Sequence, residues 1–277
     1  MAAGTASRFV PLSEEIPKGL LEVRGEILIE RQIRQLHEAG IHDITIVLGY
    51  QADKFLHLSD KYGVRMVYNE DFSRYNNASS MIRVVDRLED TFICCSDHYF
   101  TGNVFLDKTE DSYYASLFAA GDTDEYCLIA DDNDWIDSVQ VGGGNSWYMA
   151  GHAFFNATFS EKFRRIFVRE YAHDEVRLGY WEDIFIRHIS ELPMKLKKYA
   201  NGTINEFDSI DELRTFDPSY VNDTRSSILK SIAQRLSCEE REMSGFTRTS
   251  TGRLAFTFDC HGKKYLYDGR TQSVSRI

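Results

Sequence analysis

The first eighteen residues combine small side chains with two cations. Residues 2–7 read Ala-Ala-Gly-Thr-Ala-Ser, so side chains cover little of their backbone N–H groups, which can turn toward an anion. Arg8 and Lys18 flank this loop, and Pro11 and Pro17 stiffen the connection between the two cations by fixing φ. A loop of small residues with two placed cations is suited to holding a triphosphate.

Carboxylates that could bind a metal ion occur at two places. Asp97 directly follows the apolar run 91–96, so it ends a predicted buried strand, and His98 comes next. Glu206 and Asp208 would share one face if their segment is extended. Mg²⁺ takes hard oxygen ligands, commonly one or two carboxylates together with phosphate oxygens. The alternatives are that Asp97 only terminates a strand and that the acidic pair lies in a solvated turn. For His98 the alternative is a structural role.

Aromatic and acidic residues concentrate in two distant segments of the chain. Such residues could enclose an alkylammonium ion through cation–π and Coulomb attraction. Ordinary core packing is the alternative for each ring. The two segments contain Trp147 and Tyr148, and Tyr180, Trp181, Glu182 and Asp183.

Apolar strands alternate with short helices over the first hundred residues. The predicted strands are 43–48, 64–69 and 91–96, with helices between them. This alternation is typical of an α/β fold with a Rossmann-like, mainly parallel sheet flanked by helices. Ligands bind such sheets at the carboxyl ends of strands, where Tyr50 and Asp97 fall.

The middle of the chain lacks helices between its strands and therefore predicts an antiparallel substrate lobe. The predicted strands are 113–120, 126–130, 136–141 and 147–155, with turns at 131–134 and 142–144. Helices at 159–171 and 181–190, a strand at 194–199 and a helix capped by Ser209 follow.

The character of the chain changes after Pro218. We predict a main domain over 1–218 and a small C-terminal module over 219–277, consisting of a helix at 224–236 and a hairpin. The hairpin strands are 254–258 and 264–267. Because the module offers no candidate catalytic residue, we expect it to be dispensable for chemistry.

Composition excludes several classes of function. The 277 residues carry a net charge of −11, which argues against binding a nucleic-acid backbone. No apolar run approaches the twenty residues of a membrane span, and no secretory signal opens the sequence. The five cysteines form no Cys-x-x-Cys pair. We expect a cytoplasmic protein with reduced cysteines, without membrane or nucleic-acid partners; a homodimer is one open option.

The opening stretch resembles the signature Ala-Ala-Gly-x-Gly-x-Arg…Pro-Lys of nucleotidyltransferases that activate sugar phosphates and phosphocholine. Ala6 replaces the second glycine of the signature, which is tolerable if its φ is negative, and the sequence starts at the loop, so the apolar strand that normally feeds the loop is not seen in these residues. Similarity to the phosphocholine cytidylyltransferase group covers most of the first 217 residues. Besides the opening, it rests on Gly49-Tyr50, Lys61-Tyr-Gly-Val64, Asn76-Asn-Ala-Ser-Ser80, Ser96-Asp97 and Glu206-Phe-Asp208.

The resemblance implies that a phosphate or phosphonate oxygen of an amino-alcohol substrate, phosphocholine first, attacks the α-phosphorus of CTP and releases pyrophosphate. It implies catalytic roles for Lys18, Arg8 and Asp97, and Mg²⁺ on Asp97, Glu206 and Asp208. The implied nucleotide-binding residues are Ala2, Ala3, Gly4, Thr5, Ala6, Ser7, Arg8, Tyr50, Asn77, Ser79 and Ser80. The implied amine-binding residues are Trp147, Tyr180, Trp181, Glu182 and Asp183.

Other functions stay open at this point. A sugar-1-phosphate nucleotidylyltransferase would share the opening signature. A non-catalytic nucleotide-binding or scaffold protein would account for Ala6 and for the C-terminal module, which weakly resembles the start of a choline-kinase-like domain without catalytic kinase motifs. Phosphoethanolamine and 2-aminoethylphosphonate are alternative acceptors, and residues alone do not separate CTP from UTP.

Overall fold

The computed structural model describes residues 1–107, 109–249 and 254–277. They form two compact units. Unit 1 contains residues 1–4 and 31–205, and unit 2 contains residues 5–30 and 206–277. No helix within the described ranges is both long and apolar enough to cross a membrane.

Helices and strands alternate irregularly along the chain. The α-helices are α1 (Leu12–Glu15), α2 (Leu28–Glu38), α3 (His57–Tyr62), α4 (Ala78–Met81), α5 (Ala157–Glu170), α6 (Asp174–Leu178), α7 (Trp181–Arg187), α8 (Ile210–Phe216), α9 (Ser219–Asn222) and α10 (Ser227–Leu236). The strands are β1 (Glu22–Val23), β2 (Glu26–Ile27), β3 (Thr45–Leu48), β4 (Arg65–Tyr68), β5 (Thr91–Cys94), β6 (Tyr99–Phe100), β7 (Tyr113–Ala130), β8 (Ile136–Phe155), β9 (Lys195–Lys198), β10 (Ile204–Asn205), β11 (Met243–Arg248), β12 (Ala255–Cys260), β13 (Lys263–Asp268) and β14 (Ser273–Arg276).

In unit 1 the first residues of the chain connect the β3–β4 pair with the sheet that contains β5. Strands β3 and β4 pair in parallel, and Ala2 bridges Leu48 of β3 in the same direction. On the other side, the Met1 carbonyl accepts a hydrogen bond from Ser96 N at 3.0 Å, and its amino group donates to the Cys94 carbonyl. The opening loop therefore leaves from the sheet directly beside the end of β5.

The antiparallel lobe is built from two long strands rather than four shorter ones. Strands β7 and β8, of 18 and 20 residues, pair antiparallel through several register shifts and are joined at 131–135. The glycines at 142–144, expected to form a turn, lie inside β8 because bulges there let the strand continue. Strand β5 joins β8 antiparallel, and β9 joins β7 in parallel. The α/β fold with an antiparallel lobe is confirmed.

An aromatic core fixes helices α5 and α7 in unit 1. Asn156 caps α5 by accepting a hydrogen bond from Phe159 N at 2.8 Å. Phe163 of this helix and Trp181 of α7 are fully buried and contact Phe155 of β8. Each such ring contributes roughly 1.5–3 kcal/mol on burial. The core therefore decides where the first turn of α7, with its acids, is placed.

Unit 2 combines the segment after the opening loop with the C-terminal part of the chain. The predicted helix caps are confirmed for α8, where Ser209 Oγ accepts from Glu212 N at 3.1 Å. The predicted hairpin is the central pair of a four-stranded antiparallel meander, β11–β14, whose core includes Phe256 and Phe258. The boundary predicted at Pro218 falls inside this unit and remains a prediction about sequence modules.

Candidate active site

The opening loop contains a strained residue. Ala6 has a φ of 45°, and Phe9 N donates to the Ala6 carbonyl at 2.9 Å to close the turn. The condition under which alanine would be tolerated here without strain, a negative φ, is therefore not met. A left-handed conformation costs an alanine about 1–2 kcal/mol because Cβ approaches the carbonyl oxygen. A glycine at this position would adopt the same conformation without this cost.

In unit 2, the two cations of the opening stretch meet the acidic pair that lies about 190 residues away. Lys18 Nζ lies 3.1 Å from Glu206 Oε1 and 3.6 Å from Asp208 Oδ1. Arg8 Nη1 lies 2.8 Å from Asp208 Oδ2. The Lys18 side chain is only 8% exposed, whereas that of Arg8 is 77% exposed. We call these four residues the charged cluster.

Burial is the largest influence on the pKa of Asp208 in the charged cluster. It raises the pKa of Asp208, an effect that Lys18 and Arg8 oppose and that neighbouring Glu206 reinforces. Two cations and two anions thus share one partly dry site. An anionic ligand can replace the carboxylates as the partner of the cations, because Arg8 and the acids keep access to solvent.

Local hydrogen bonds explain why Asp208 is held in place. Its backbone N–H donates to Glu212 Oε2 at 2.8 Å, while Ser209 Oγ accepts from Glu212 N. Ser209 thus caps the start of α8, and the Glu212 carboxylate binds the residue before the cap. The sequence predicted the Ser209 cap, but only the fold shows that Glu212 also holds the backbone of Asp208.

Asp97 stands in a turn of unit 1 that is fastened from two sides. Gln32 of α2 donates through Nε2 to the carbonyls of Cys95 at 2.9 Å and His98 at 2.8 Å. Ser96 N is bound by Met1, as described above. Gln32 was not among the predicted site residues. The signal that could have identified it is a glutamine on the apolar face of a predicted helix.

Potential metal-binding atoms of Cys95, Asp97 and His98 lie within 4.8 Å of one another. Gly151 has a φ of 65°, and a Cβ there would lie 2.7 Å from Cε1 of His98. The glycine is therefore required by its backbone conformation and by the histidine ring. His98 is almost completely buried, which matches a role in shaping this turn.

His152 of β8 is a second buried histidine, which was not among the predicted site residues. It pairs with Cys94 at the end of β5. His152 contacts Cys94 Sγ at 3.4 Å and Tyr113 Oη at 3.3 Å. Burial lowers the pKa of His152 to about 3 and raises that of the Cys94 thiol to about 12. Both groups are thus uncharged at neutral pH, and we regard them as part of the core.

The segment 76–80, which contains three of the expected nucleotide-binding residues, is largely buried. Asn69 Nδ2 donates to Ser79 Oγ at 2.8 Å and Ser80 Oγ at 3.1 Å, and both serines are buried. Asn77 faces α7 instead, accepting from Trp181 N at 2.8 Å through Oδ1. Tyr50 lies beside the opening loop, since its N–H donates to the Ala3 carbonyl at 3.1 Å.

Glu182 is a carboxylate held by two neutral donors. Tyr114 Oη donates to Oε1 at 3.1 Å, and Asn77 Nδ2 donates to Oε2 at 3.2 Å. Burial raises the pKa of Glu182 to about 7, despite these hydrogen bonds. Tyr126 of β7 belongs to the same region. Burial raises the pKa of Tyr126, and the negative charges of Asp183 and Glu182 raise it further. Sequence reasoning missed Tyr126.

The predicted aromatic residues are unequally accessible. Trp181 is 1% exposed and stacks on Tyr114 at 5.9 Å, so its ring is a core element. Tyr180 is 44% exposed, and its N–H donates to Asp183 Oδ2 at 2.7 Å as part of the cap of α7. Trp147 is partly buried, and Lys198 Nζ lies 5.8 Å from its ring centre.

Comparison with known proteins identifies the family. Residues 1–134 match the MobA-like NTP transferase domain. The choline-phosphate cytidylyltransferase of Streptococcus pneumoniae is 31% identical, covering 80% of this chain and 97% of the relative. The 2-aminoethylphosphonate cytidylyltransferase of Lancefieldella rimae is 33% identical over 82% and 94%.

A solved structure agrees with the sequence comparison. The CTP:phosphocholine cytidylyltransferase structure from Streptococcus pneumoniae superposes with a TM-score of 0.75 at 32% identity, covering 79% of this chain and 96% of that chain. The charged cluster, the fastened Asp97 turn and the likeness over nearly the full length of these relatives lead to one assignment: the chain belongs to the choline-phosphate and 2-aminoethylphosphonate cytidylyltransferase family of nucleotidyltransferases.

Proposed function

We propose that the protein transfers CMP from CTP to the phosphate of an amino alcohol, with phosphocholine as the first candidate. An acceptor oxygen attacks the α-phosphorus in line, a new P–O bond forms, and the bond to the β-phosphate oxygen breaks. Pyrophosphate leaves with the electron pair. Since the acceptor oxygen is already ionised, no activated side-chain nucleophile is needed, and positioning and charge stabilisation carry the reaction.

The charged cluster is the observation that carries this proposal. Lys18 is buried, yet it is placed at the end of the signature stretch with acidic partners within 3.6 Å. A triphosphate would replace the carboxylates as the ion-pair partner of Lys18 and Arg8. We assign Lys18 to the α-phosphate or the acceptor phosphate, and Arg8 with the loop amides to the β- and γ-phosphates.

We assign the metal to Mg²⁺, with Asp97, Glu206 and Asp208 as the side chains that would hold it. These are carboxylate oxygens, the donors that Mg²⁺ prefers, whereas Cys95 and His98 next to Asp97 offer donors that suit softer metals. When bound, the ion would neutralise phosphate charge during transfer. The raised pKa of Asp208 leaves room for a cation to favour its ionised form.

For the acceptor we propose a cationic headgroup recognised near α7. Glu182 and Asp183 supply negative charge, and Tyr180, Trp147 and Tyr126 supply aromatic faces that are at least partly exposed. Trp181 supports this site from the core rather than through an exposed ring face. Aromatic faces with carboxylates attract a cation, and they do little for sugar hydroxyls beyond stacking.

The test is pyrophosphate release from each of the four NTPs in the presence of phosphocholine, phosphoethanolamine, 2-aminoethylphosphonate or glucose-1-phosphate. We expect turnover with CTP and an amine-bearing acceptor. Preference for glucose-1-phosphate would establish the sugar-phosphate alternative. Nucleotide binding without turnover in any combination would support the non-catalytic alternative.

A further inference from the structure

We propose that the C-terminal module, residues 219–277, holds the nucleotide-binding loop in its working shape, with Arg248 as the positioning residue. This rests on the proposed function, in which the loop binds the triphosphate of CTP. The expectation that the module is dispensable for the chemical step stays a prediction, because this inference concerns the binding of CTP. All the contacts that carry it lie within unit 2.

Arg248, at the end of β11, reaches the opening stretch with both ends of its guanidinium group. Its Nε donates to the carbonyl of Ser7 at 3.1 Å. Its Nη2 forms an ion pair with Glu14 of α1. The two side chains are only 25% and 16% exposed, so solvent screens this pair less than a surface pair. One side chain thus ties the loop to the helix that follows it.

The second acid of α1 is held by the same module. Glu15 accepts hydrogen bonds from Ser227 N at 3.0 Å, Ile228 N at 2.8 Å and Ser227 Oγ at 2.8 Å. It therefore satisfies backbone donors at the start of α10, a ten-residue helix. Both acids of the short helix after the loop are bound by residues beyond 219.

The module also grips the helix that follows the acidic pair. Arg214 of α8 donates to the carbonyls of Met243 at 2.6 Å and Glu240 at 2.7 Å. Gly245 N donates to Asp211 Oδ2 at 2.9 Å. The same strand, β11, therefore contacts the loop through Arg248 and α8 through its first residues. Strand β11 therefore contacts both the loop that carries the cations and the helix that follows the acids of the charged cluster.

The energetic consequence concerns nucleotide binding more than the chemical step. Fixing one residue of a flexible loop costs roughly 1–2 kcal/mol of conformational entropy. A loop fixed by Arg248 loses this conformational entropy when the protein folds. A loosened loop loses it only when CTP binds. Loss of the contact should therefore raise the KM for CTP while leaving kcat nearly unchanged.

The experiment compares Arg248→Ala with Arg241→Ala in the full-length protein. Arg241 belongs to the same module and pairs with Glu239 at 2.7 Å, with more than half of its side chain exposed. We expect Arg248→Ala to raise the KM for CTP about tenfold, with kcat and the acceptor KM within twofold of the unsubstituted protein. Arg241→Ala should leave all three constants unchanged, and Arg248→Lys should recover part of the loss.

Two further measurements keep the inference falsifiable. Hydrogen exchange at the Phe9 amide, which is bonded to Ala6, should accelerate about tenfold in Arg248→Ala, while the Tyr171 amide of unit 1 should not change. Glu14→Gln should give a similar increase in KM, and the double variant should be no worse than Arg248→Ala alone.

The outcomes separate this inference from the proposed function. Unchanged exchange at Phe9 in Arg248→Ala overturns the positioning role, whatever the kinetics. Faster exchange with no turnover in any protein, including the unsubstituted one, supports the positioning role and overturns the proposed function. A fall in kcat with the KM for CTP unaltered would show that Arg248 only supports overall stability, and would also overturn the inference.

Discussion

Replacing Glu182 by glutamine should stabilise the protein and weaken acceptor binding at the same time. Burial is the main reason that the pKa of Glu182 rises from 4.5 to about 7 on folding. At 1.36 kcal/mol per pH unit this interval amounts to about 3 kcal/mol, which we reduce to about 2 kcal/mol because the residue keeps partial contact with solvent. The glutamine can keep both neighbours, accepting from Asn77 and donating to the Tyr114 hydroxyl oxygen.

The sign of the pH dependence follows from the raised pKa. The folded state binds the Glu182 proton more tightly than the unfolded state, so the contribution to stability is complete below pH 4.5. It is lost as the pH rises through about 7. Denaturation in urea should therefore show a gain of about 2 kcal/mol for Glu182→Gln at pH 8 and almost none at pH 4.

The same substitution should remove the attraction for a cationic acceptor. At pH 8 we expect the KM for phosphocholine to rise about tenfold, on the order of 1.4 kcal/mol, with the KM for CTP unchanged. Below pH 6 the KM for phosphocholine of Glu182→Gln, divided by that of the unsubstituted protein, should approach one. The reason is that Glu182 is then protonated in the unsubstituted protein. Taking a ratio cancels the ionisation of the substrate phosphate.

Glu161→Gln is the matched control, since it removes the same charge from an exposed position on α5. It should change neither stability at pH 8 by more than about 0.5 kcal/mol nor any KM. Equal stability of Glu182→Gln and the parent at pH 4 and pH 8 would refute a raised pKa. A gain in stability without any change in acceptor KM would refute the role in cation recognition.

Three other predictions concern the opening loop and the metal. Lys18→Ala should lower kcat/KM by roughly 10² or more, since a charge placed on a transferring phosphoryl group contributes about 3 kcal/mol; a loss under about threefold would remove Lys18 from the site. EDTA should stop turnover, and Asp97→Ala should lose most of kcat with an unchanged circular dichroism spectrum; full activity in that variant would refute its place at the metal. Ala6→Gly should raise the free energy of unfolding by about 0.5–1 kcal/mol in urea, because relief of the left-handed strain exceeds the added freedom of the unfolded chain. A loss of stability would contradict this account of Ala6.

Local chemistry made much of the fold readable from the sequence. Apolar runs marked β3, β4 and β5, and Ser209 marked the start of α8, because strand periodicity and helix capping act over a few residues. Long-range pairing was harder to predict. The four strands expected in the antiparallel lobe are two, because bulges let β7 and β8 stay paired past the glycines at 142–144.

The candidate site shows the same division. The sequence by itself determined the small loop, the two cations, the acidic pair and the family, since these depend on residue type and close spacing. The tertiary structure alone decided that Lys18 lies 3.1 Å from Glu206, that Trp181 is a core residue, and that Arg248 holds Ser7. It also gave Glu182 its raised pKa. Burial and contact between distant residues depend on how the whole chain packs, and no local pattern contains that information.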